Sequence, residues 1–258
     1  MWEQQLQTLI FTLSHQKEIF NMFKGFNNIQ QNGFVNLNFA GDRSAYGQGG
    51  CTMWMRADFG LNTQTNGAAI TSWQDYISGV RFIQNTAANQ PVLITSNANY
   101  NNFPTIHFNN GTDVLSAEGG FAVPNIKTFA FVANYDSLNT RNTVLHDPST
   151  SSSISLGGTA AGINGVTLIS IGATSTGTTE SNTVKIVVIS DNFIMVNGII
   201  ESTTTANINF IVNNLGGTGS SSNGLVGKIA EIIGYSTIIN QDQALAISNN
   251  INQKYVLY

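Results

Sequence analysis

The sequence predicts an antiparallel β-sandwich, and three observations carry that prediction. From Phe34 onward, short runs rich in Val, Ile, Phe and Thr recur with a period of two: Thr105–Phe108, Lys127–Tyr135, Val166–Ile171, Val184–Ile189 and Phe193–Val196. Six Asn-Gly dipeptides, at Asn32, Asn66, Asn110, Asn164, Asn197 and Asn223, punctuate the chain. Asn-Gly favours the two-residue type I′ hairpin because both residues tolerate positive φ. Asn197-Gly198 is the clearest case, set between Phe193–Val196 and Ile199-Ile200. Finally, Met53-Trp54-Met55-Arg56-Ala57-Asp58 and Gly227–Tyr235 read as the first and last strands of one sandwich. A chain of 258 residues accommodates one such domain with an appendage.

The opening 24 residues obey a different period. Trp2, Leu6, Leu9, Leu13, Gln16, Phe20 and Phe23 step by four and three, and Ile10 and Ile19 widen the stripe, which predicts an amphipathic helix with a heptad seam. About three heptads are marginal alone, so the stripe is expected to bury against its own sandwich, a sister chain or a larger scaffold, and in the last two cases Trp2, Leu6, Leu9, Leu13, Phe20 and Phe23 are the oligomerisation or attachment residues. Gly25 and the Asn-rich stretch Asn27–Gly33 end the helix and act as a linker. The expected organisation is an arm and linker over 1–50 and a sandwich over 51–258. A short C-terminal helix is signalled by Asn240 with Gln243 three residues on, a capping box, followed by Ala244, Leu245, Ile247, Ile251 and Tyr255 as packing positions. Thr150–Ser155 and Gly216–Gly224 read as hairpin loops between strands.

Charged residues make up only 9% of the chain, far below the usual ~25%. The net charge is −4 and the ten Lys and Arg are scattered from Lys17 to Lys254, so no basic stripe exists to neutralise a phosphate backbone, and nucleic acid is excluded as a partner. Cys51 stands alone, so no intrachain disulfide forms. The N-terminus lacks the positive region of a Sec signal. No run approaches the ~18 apolar residues of a membrane span.

Trp54-Met55-Arg56-Ala57-Asp58, Trp73-Gln74-Asp75 with Ser78-Gly79, Phe103–Phe108 with Asp113, and Gly227–Tyr235 followed by Asn240–Tyr255 resemble the concanavalin A-like lectin/glucanase superfamily. More narrowly, they are similar to its laminin G-like jelly-roll domains in bacterial surface and phage virion proteins, over roughly residues 50 to 258. The resemblance implies two curved antiparallel sheets in a jelly-roll sandwich. In such a sandwich Trp54 and Trp73 are expected in the core between sheets, with Arg56 pairing Asp58 or Asp75. The alternative role for either indole is to stack on a pyranose ring.

Chemistry of other kinds finds little footing. Glucanases of that superfamily carry Glu-x-Asp-x-x-Glu on one strand, where alternate residues share a face and flank a glycosidic bond. Glu231 is followed by Ile232, Ile233, Gly234 and Tyr235, and no such spacing occurs. His15, His107 and His146 lack partners at metal-ligand spacing. The glycine cluster Leu215–Ser220 precedes a strand and lacks the lysine of a phosphate-binding loop. No cofactor is expected. Calcium is the one ion kept open, at the oxygen-rich loop Asn109-Asn110-Gly111-Thr112-Asp113, whose residues turn chemistry explains equally.

These expectations converge on a non-enzymatic structural protein of a bacteriophage virion, a capsid decoration or fibre-like component. Its partners would be sister copies, other virion proteins and a host surface glycan. Its place would be the virion surface, after assembly in the host cytoplasm. The alternative is a carbohydrate-binding lectin-like module or adhesin recognising a bacterial surface glycan, in the extracellular space.

Overall fold

The computed structural model describes residues 45–120, 122–137, 141–157, 166–169, 173–174, 183–203, 208–218 and 223–258. The chain divides into two units, Met1–Gly41 and Asp42–Tyr258, and every described residue belongs to the second. The expected N-terminal helix, with Trp2, Leu6, Leu9, Leu13, Phe20 and Phe23, lies outside the described residues.

The first strands are β1 (Cys51–Arg56), β2 (Ser72–Gln74), β3 (Arg81–Ile83), β4 (Val92–Asn97), β5 (Phe103–Phe108) and β6 (Leu115–Ala117). Next come β7 (Val123–Ile126), β8 (Thr128–Tyr135), β9 (Thr143–Asp147), β10 (Ser152–Leu156), β11 (Val166–Ile169) and β12 (Ala173–Thr174). The last are β13 (Lys185–Ser190), β14 (Phe193–Val196), β15 (Ile199–Thr203), β16 (Phe210–Val212), β17 (Asn214–Leu215) and β18 (Gly227–Tyr235), followed by one helix, α1 (Gln241–Tyr255). The first sheet runs β15-β14-β13-β8-β18-β5-β4, with β1 also on β18. The second runs β12-β11-β10-β9-β17-β6-β3-β2, and β16 and β7 form a separate ribbon.

The two large sheets share one apolar core. Met53, Met55, Phe129, Phe131 and Ile232 from the first meet Trp73, Phe82, Leu145 and Ile154 from the second. A second apolar cluster covers the opposite face of the first sheet, where Ala130, Val132, Ile233 and Tyr235 pack under Ala244, Ile247, Ile251 and Tyr255 of α1. That double covering explains why β8 is buried at every position and reads as a continuous apolar run rather than an alternating one.

Local chemistry sets the ends of these elements. Asn197 and Gly198 both take positive φ, 49° and 77°, and close the β14–β15 hairpin as the Asn-Gly signal predicts. Asn240 caps α1 through a full capping box with Gln243. Of the expected packing positions, Ala244, Ile247, Ile251 and Tyr255 are buried, but Leu245 is 40% exposed and Ser248 takes its place on the buried stripe.

Cys51–Arg56 and Gly227–Tyr235 do pair antiparallel, with Trp54 opposite Ile233 and Arg56 opposite Glu231. The all-β class therefore holds, but the closed jelly-roll sandwich does not. Both large sheets are open: their described ends, β15 and β4 in one, β12 and β2 in the other, have a ladder partner on one side only. Alternation and hairpin signals mark most of the extended runs and the Asn197 hairpin, although Ser152–Leu156, expected largely within a loop, extends as β10 between β9 and β11. Closure depends on contacts between distant strands that neither signal contains.

Candidate functional site

Two features of the first sheet put Glu231 in an unusual place. A β-bulge between Ile229 and Glu231 breaks the alternation of β18, so Ile229 and Ile232 face the shared core while Ala230 and Ile233 face the α1 side. Glu231 then meets α1 side chains and is fully buried. Four side chains donate to it. Tyr46 Oη lies 2.9 Å and Trp54 Nε1 2.6 Å from Oε1, while Lys254 Nζ lies 3.0 Å and Tyr255 Oη 2.8 Å from Oε2. Burial, then the adjacent Glu231 carboxylate, raises both tyrosine hydroxyls far above their ordinary pKa, so both remain donors.

Trp54, held from behind by Glu231, is half-buried on the outer face. It is the centre of an aromatic row. Tyr46 lies 5.8 Å from it at a tilt, Tyr76 meets it edge-on at 5.8 Å, and Phe59 meets Tyr76 edge-on at 4.9 Å. Tyr76 is 42% exposed. The turn after β2 places it there: Asp75 accepts from the amides of Ile77 and Ser78 and from Ser78 Oγ, closing a tight turn. That turn docks on the free edge of β1, with Trp54 N donating to Asp75 Oδ1 at 2.5 Å and Tyr76 N to Trp54 O at 3.0 Å. Burial raises the Asp75 pKa against these hydrogen bonds.

Polar groups flank the row. The Arg56 guanidinium lies 5.5 Å from the Trp54 ring centroid and grips Asp58 with two bonds, Nε–Oδ1 at 2.9 Å and Nη2–Oδ2 at 2.7 Å. Burial opposes both charges, but their mutual hydrogen bonds outweigh it, raising the Arg56 pKa and lowering that of Asp58. Gly60 follows at φ +74°, and a Cβ there would sit 2.3 Å from Gln74 O, so only glycine lets this loop reach β2. The face thus offers exposed aromatic surface beside a donor–acceptor pair, the surface chemistry that takes a flat, hydroxylated ligand.

The structure separates the two indoles that sequence treats alike. Trp73 is fully buried and donates to Arg56 O at 2.9 Å, as expected of a core residue. Trp54 is on the outer face, which corrects its placement between the sheets; one bulge on each side of the β1–β18 pair sets that parity. Arg56 pairs Asp58 and not Asp75. Sequence reasoning missed Tyr46, Phe59, Tyr76 and Glu231. The one available signal was Glu231 itself, an acid in an otherwise apolar strand that has to find buried donors.

Other polar groups are arranged differently. His107, Lys228 and Asn134 lie side by side across β5, β18 and β8, and Asp136 draws them together: His107 Nε2 at 3.1 Å, Lys228 Nζ at 2.5 Å and Asn134 Nδ2 at 2.7 Å. His146 meets Asn214 Nδ2 at 3.3 Å. No group of three or more His, Cys, Asp or Glu among the described residues is placed to hold a metal ion. The Asn109–Asp113 loop uses its oxygens on itself: Asn110 Oδ1 accepts from Thr112 N, Thr112 Oγ1 and Asp113 N, and Asp113 Oδ2 accepts from Asn109 N. Asp113 Oδ1 alone is buried without a partner there, short of the roughly six to eight oxygens calcium takes, so the loop does not fit that ion.

No family model and no curated protein sequence matches the chain. Solved structures do. Domain 4 of AbnA, a GH43 extracellular arabinanase from Geobacillus stearothermophilus, solved in complex with arabinotriose, is similar over 77% of this chain and 98% of that domain, at 14% identity and TM-score 0.52. A Trypanosoma rangeli sialidase in complex with the inhibitor DANA is similar over 95% of this chain at 13% identity and TM-score 0.48. The chain spans only 40% of that sialidase's length. A GH54 α-L-arabinofuranosidase is similar over 74% of this chain and 52% of its own, at 14% identity and TM-score 0.49.

These proteins are carbohydrate-active enzymes or a domain of one. The expected kinship with concanavalin A-like lectins and phage virion proteins is corrected accordingly, and with it the capsid-decorating or fibre-like role. The expectation that the chain stands apart from enzymes is corrected too, because its fold is shared with a domain of an extracellular arabinanase. The strand motifs behind that resemblance mark paired strands with at least one buried face, a physical requirement shared by many all-β proteins.

Proposed function

We propose that the chain is a carbohydrate-recognition domain that takes its ligand on the face formed by Trp54, Tyr76 and Phe59. One observation carries this reading: a half-exposed aromatic row whose central indole is fixed from behind by a fully buried carboxylate. A fixed indole has little side-chain entropy left to lose when a sugar ring stacks against its neighbour. The fold shared with the arabinanase domain, solved with arabinotriose, supports a saccharide as the ligand. Glu231, enclosed by four donors, holds the platform and does not reach the ligand. Polysaccharides are met outside the cell, so an extracellular location accompanies this reading.

Titration calorimetry of the full chain with arabino-oligosaccharides and a panel of other soluble glycans tests it. Saturable binding is expected, weakened about tenfold by Tyr76→Ala. A variant that stays folded by circular dichroism yet binds as the parent does would move the site elsewhere.

A further inference from the structure

We infer that the sugar recognised at the Trp54 face is uncharged. The inference rests on the proposed recognition face and names its ligand class. Four charged side chains border the aromatic row: Arg56, Asp58, Lys254 and Glu231. Their formal charges cancel, and each cation is already engaged. Arg56 is held by the two-pronged bond to Asp58. Lys254 is 3.0 Å from Glu231 and lies 5.0 Å and 4.8 Å from the Phe103 and Tyr255 ring centroids.

A sugar acid arriving here meets the Asp58 carboxylate, with the Glu231 charge buried behind the row, and no uncommitted cation among the described residues of the face. A sugar carboxylate taking the two-pronged Arg56 contact would have to displace Asp58, and one settling for the remaining N–H groups of Arg56 would lie beside the Asp58 charge. Recruiting Lys254 would leave Glu231, fully buried, without its cation. A neutral sugar needs neither. Arg56 uses two of its N–H groups on Asp58 and keeps the others, Asp58 keeps lone pairs, and a hydroxyl both donates and accepts. Adjacent hydroxyls can therefore bridge the two residues with the pair intact.

The test is titration of the full chain, at low ionic strength, with neutral trisaccharides (arabinotriose, cellotriose, maltotriose) and acidic ones (trigalacturonic acid, 3′-sialyllactose). A neutral trisaccharide is expected to bind, with every acidic one at least about tenfold weaker. Asp58→Asn and Asp58→Ser, each checked for folding, release Arg56 and are expected to narrow that gap by raising affinity for the acids. Acidic sugars binding as tightly as neutral ones, with binding lost in Tyr76→Ala, would overturn the inference and leave the recognition face standing. An unchanged gap in both folded Asp58 variants would also overturn it. Absence of binding by every saccharide would remove the recognition face and the inference together.

Discussion

Glu231 accepts hydrogen bonds from four side chains contributed by three separate segments: Tyr46 before β1, Trp54 in β1, and Lys254 and Tyr255 at the end of α1, all meeting on β18. A carboxylate can take all four because it only accepts; an amide cannot. Glu231→Gln keeps one oxygen but turns an NH2 group toward a lysine and a tyrosine that both donate. Breaking a buried pair this way costs about 3 kcal/mol, moderated because Lys254 is partly exposed and can turn to water. The unfolding midpoint in urea should fall accordingly, and the Trp54 indole N–H resonance should shift as its acceptor changes. An unchanged midpoint and an unmoved indole resonance would show that Glu231 holds nothing in place. The same residue marks the boundary of what sequence discloses. An acid in an apolar strand is visible, but the bulge that turns it to the α1 side is not, because strict alternation would put Glu231 on the same face as Ile229. Tyr46, Trp54, Phe59 and Tyr76 form no linear motif either, so only the docking of the Asp75 turn on β1 brings them together.

Single elements were far more legible than their assembly. The capping box at Asn240, the Asn-Gly hairpin at Asn197 and the extended runs of β5, β8, β13 and β14 follow from local stereochemistry, which a short window contains. The order of strands does not: β18 pairs with β8 along its length and on its other side is divided between β5, at Gly227–Ile229, and β1, at Glu231–Tyr235. Those partners are separated from it by roughly a hundred residues or more, and several strands of equal apolar character compete for each edge. The helix is the element that joins local and distant information. Its cap is local, but its final turn supplies Lys254 and Tyr255 to Glu231, so fraying at one end is felt at the recognition face. Asn240→Ala removes an acceptor from Gln243 N and should cost about 1 kcal/mol. Hydrogen exchange at α1 amides should accelerate by the corresponding factor of about five. Unchanged protection would mean that packing of Ala244, Ile247 and Ile251 alone fixes the helix.

At the scale of the whole molecule, acid stability follows from opposing groups. His107 and His146 have lowered pKa values in the fold, through burial first and, for His107, the Lys228 charge second. The unfolded chain therefore binds their protons more readily than the native one, and stability is lost as pH falls below about 6.5, the ordinary histidine value. Asp58, Asp136 and Asp147 act in the same direction at lower pH. Burial raises each, but their hydrogen bonds outweigh it and leave the folded pKa below the unfolded one. Their contribution is present above about pH 4 and is lost as pH falls through the folded values. Asp75 and Asp113 oppose them: burial raises their folded pKa, so protonation favours the fold as pH falls toward about 4. The expected profile is a plateau above pH 7, a first decline below about pH 6.5 from the histidines, relief from Asp75 and Asp113, and a second decline below about pH 4. Urea midpoints measured from pH 8 to pH 3 read this directly. His107→Gln combined with His146→Gln should erase the first decline and keep the second, because the Lys228 and Asn134 bonds that hold Asp136 remain. A parent midpoint that is flat from pH 7 to 5, or a first decline that survives in the double variant, would assign acid sensitivity to groups other than these two imidazoles.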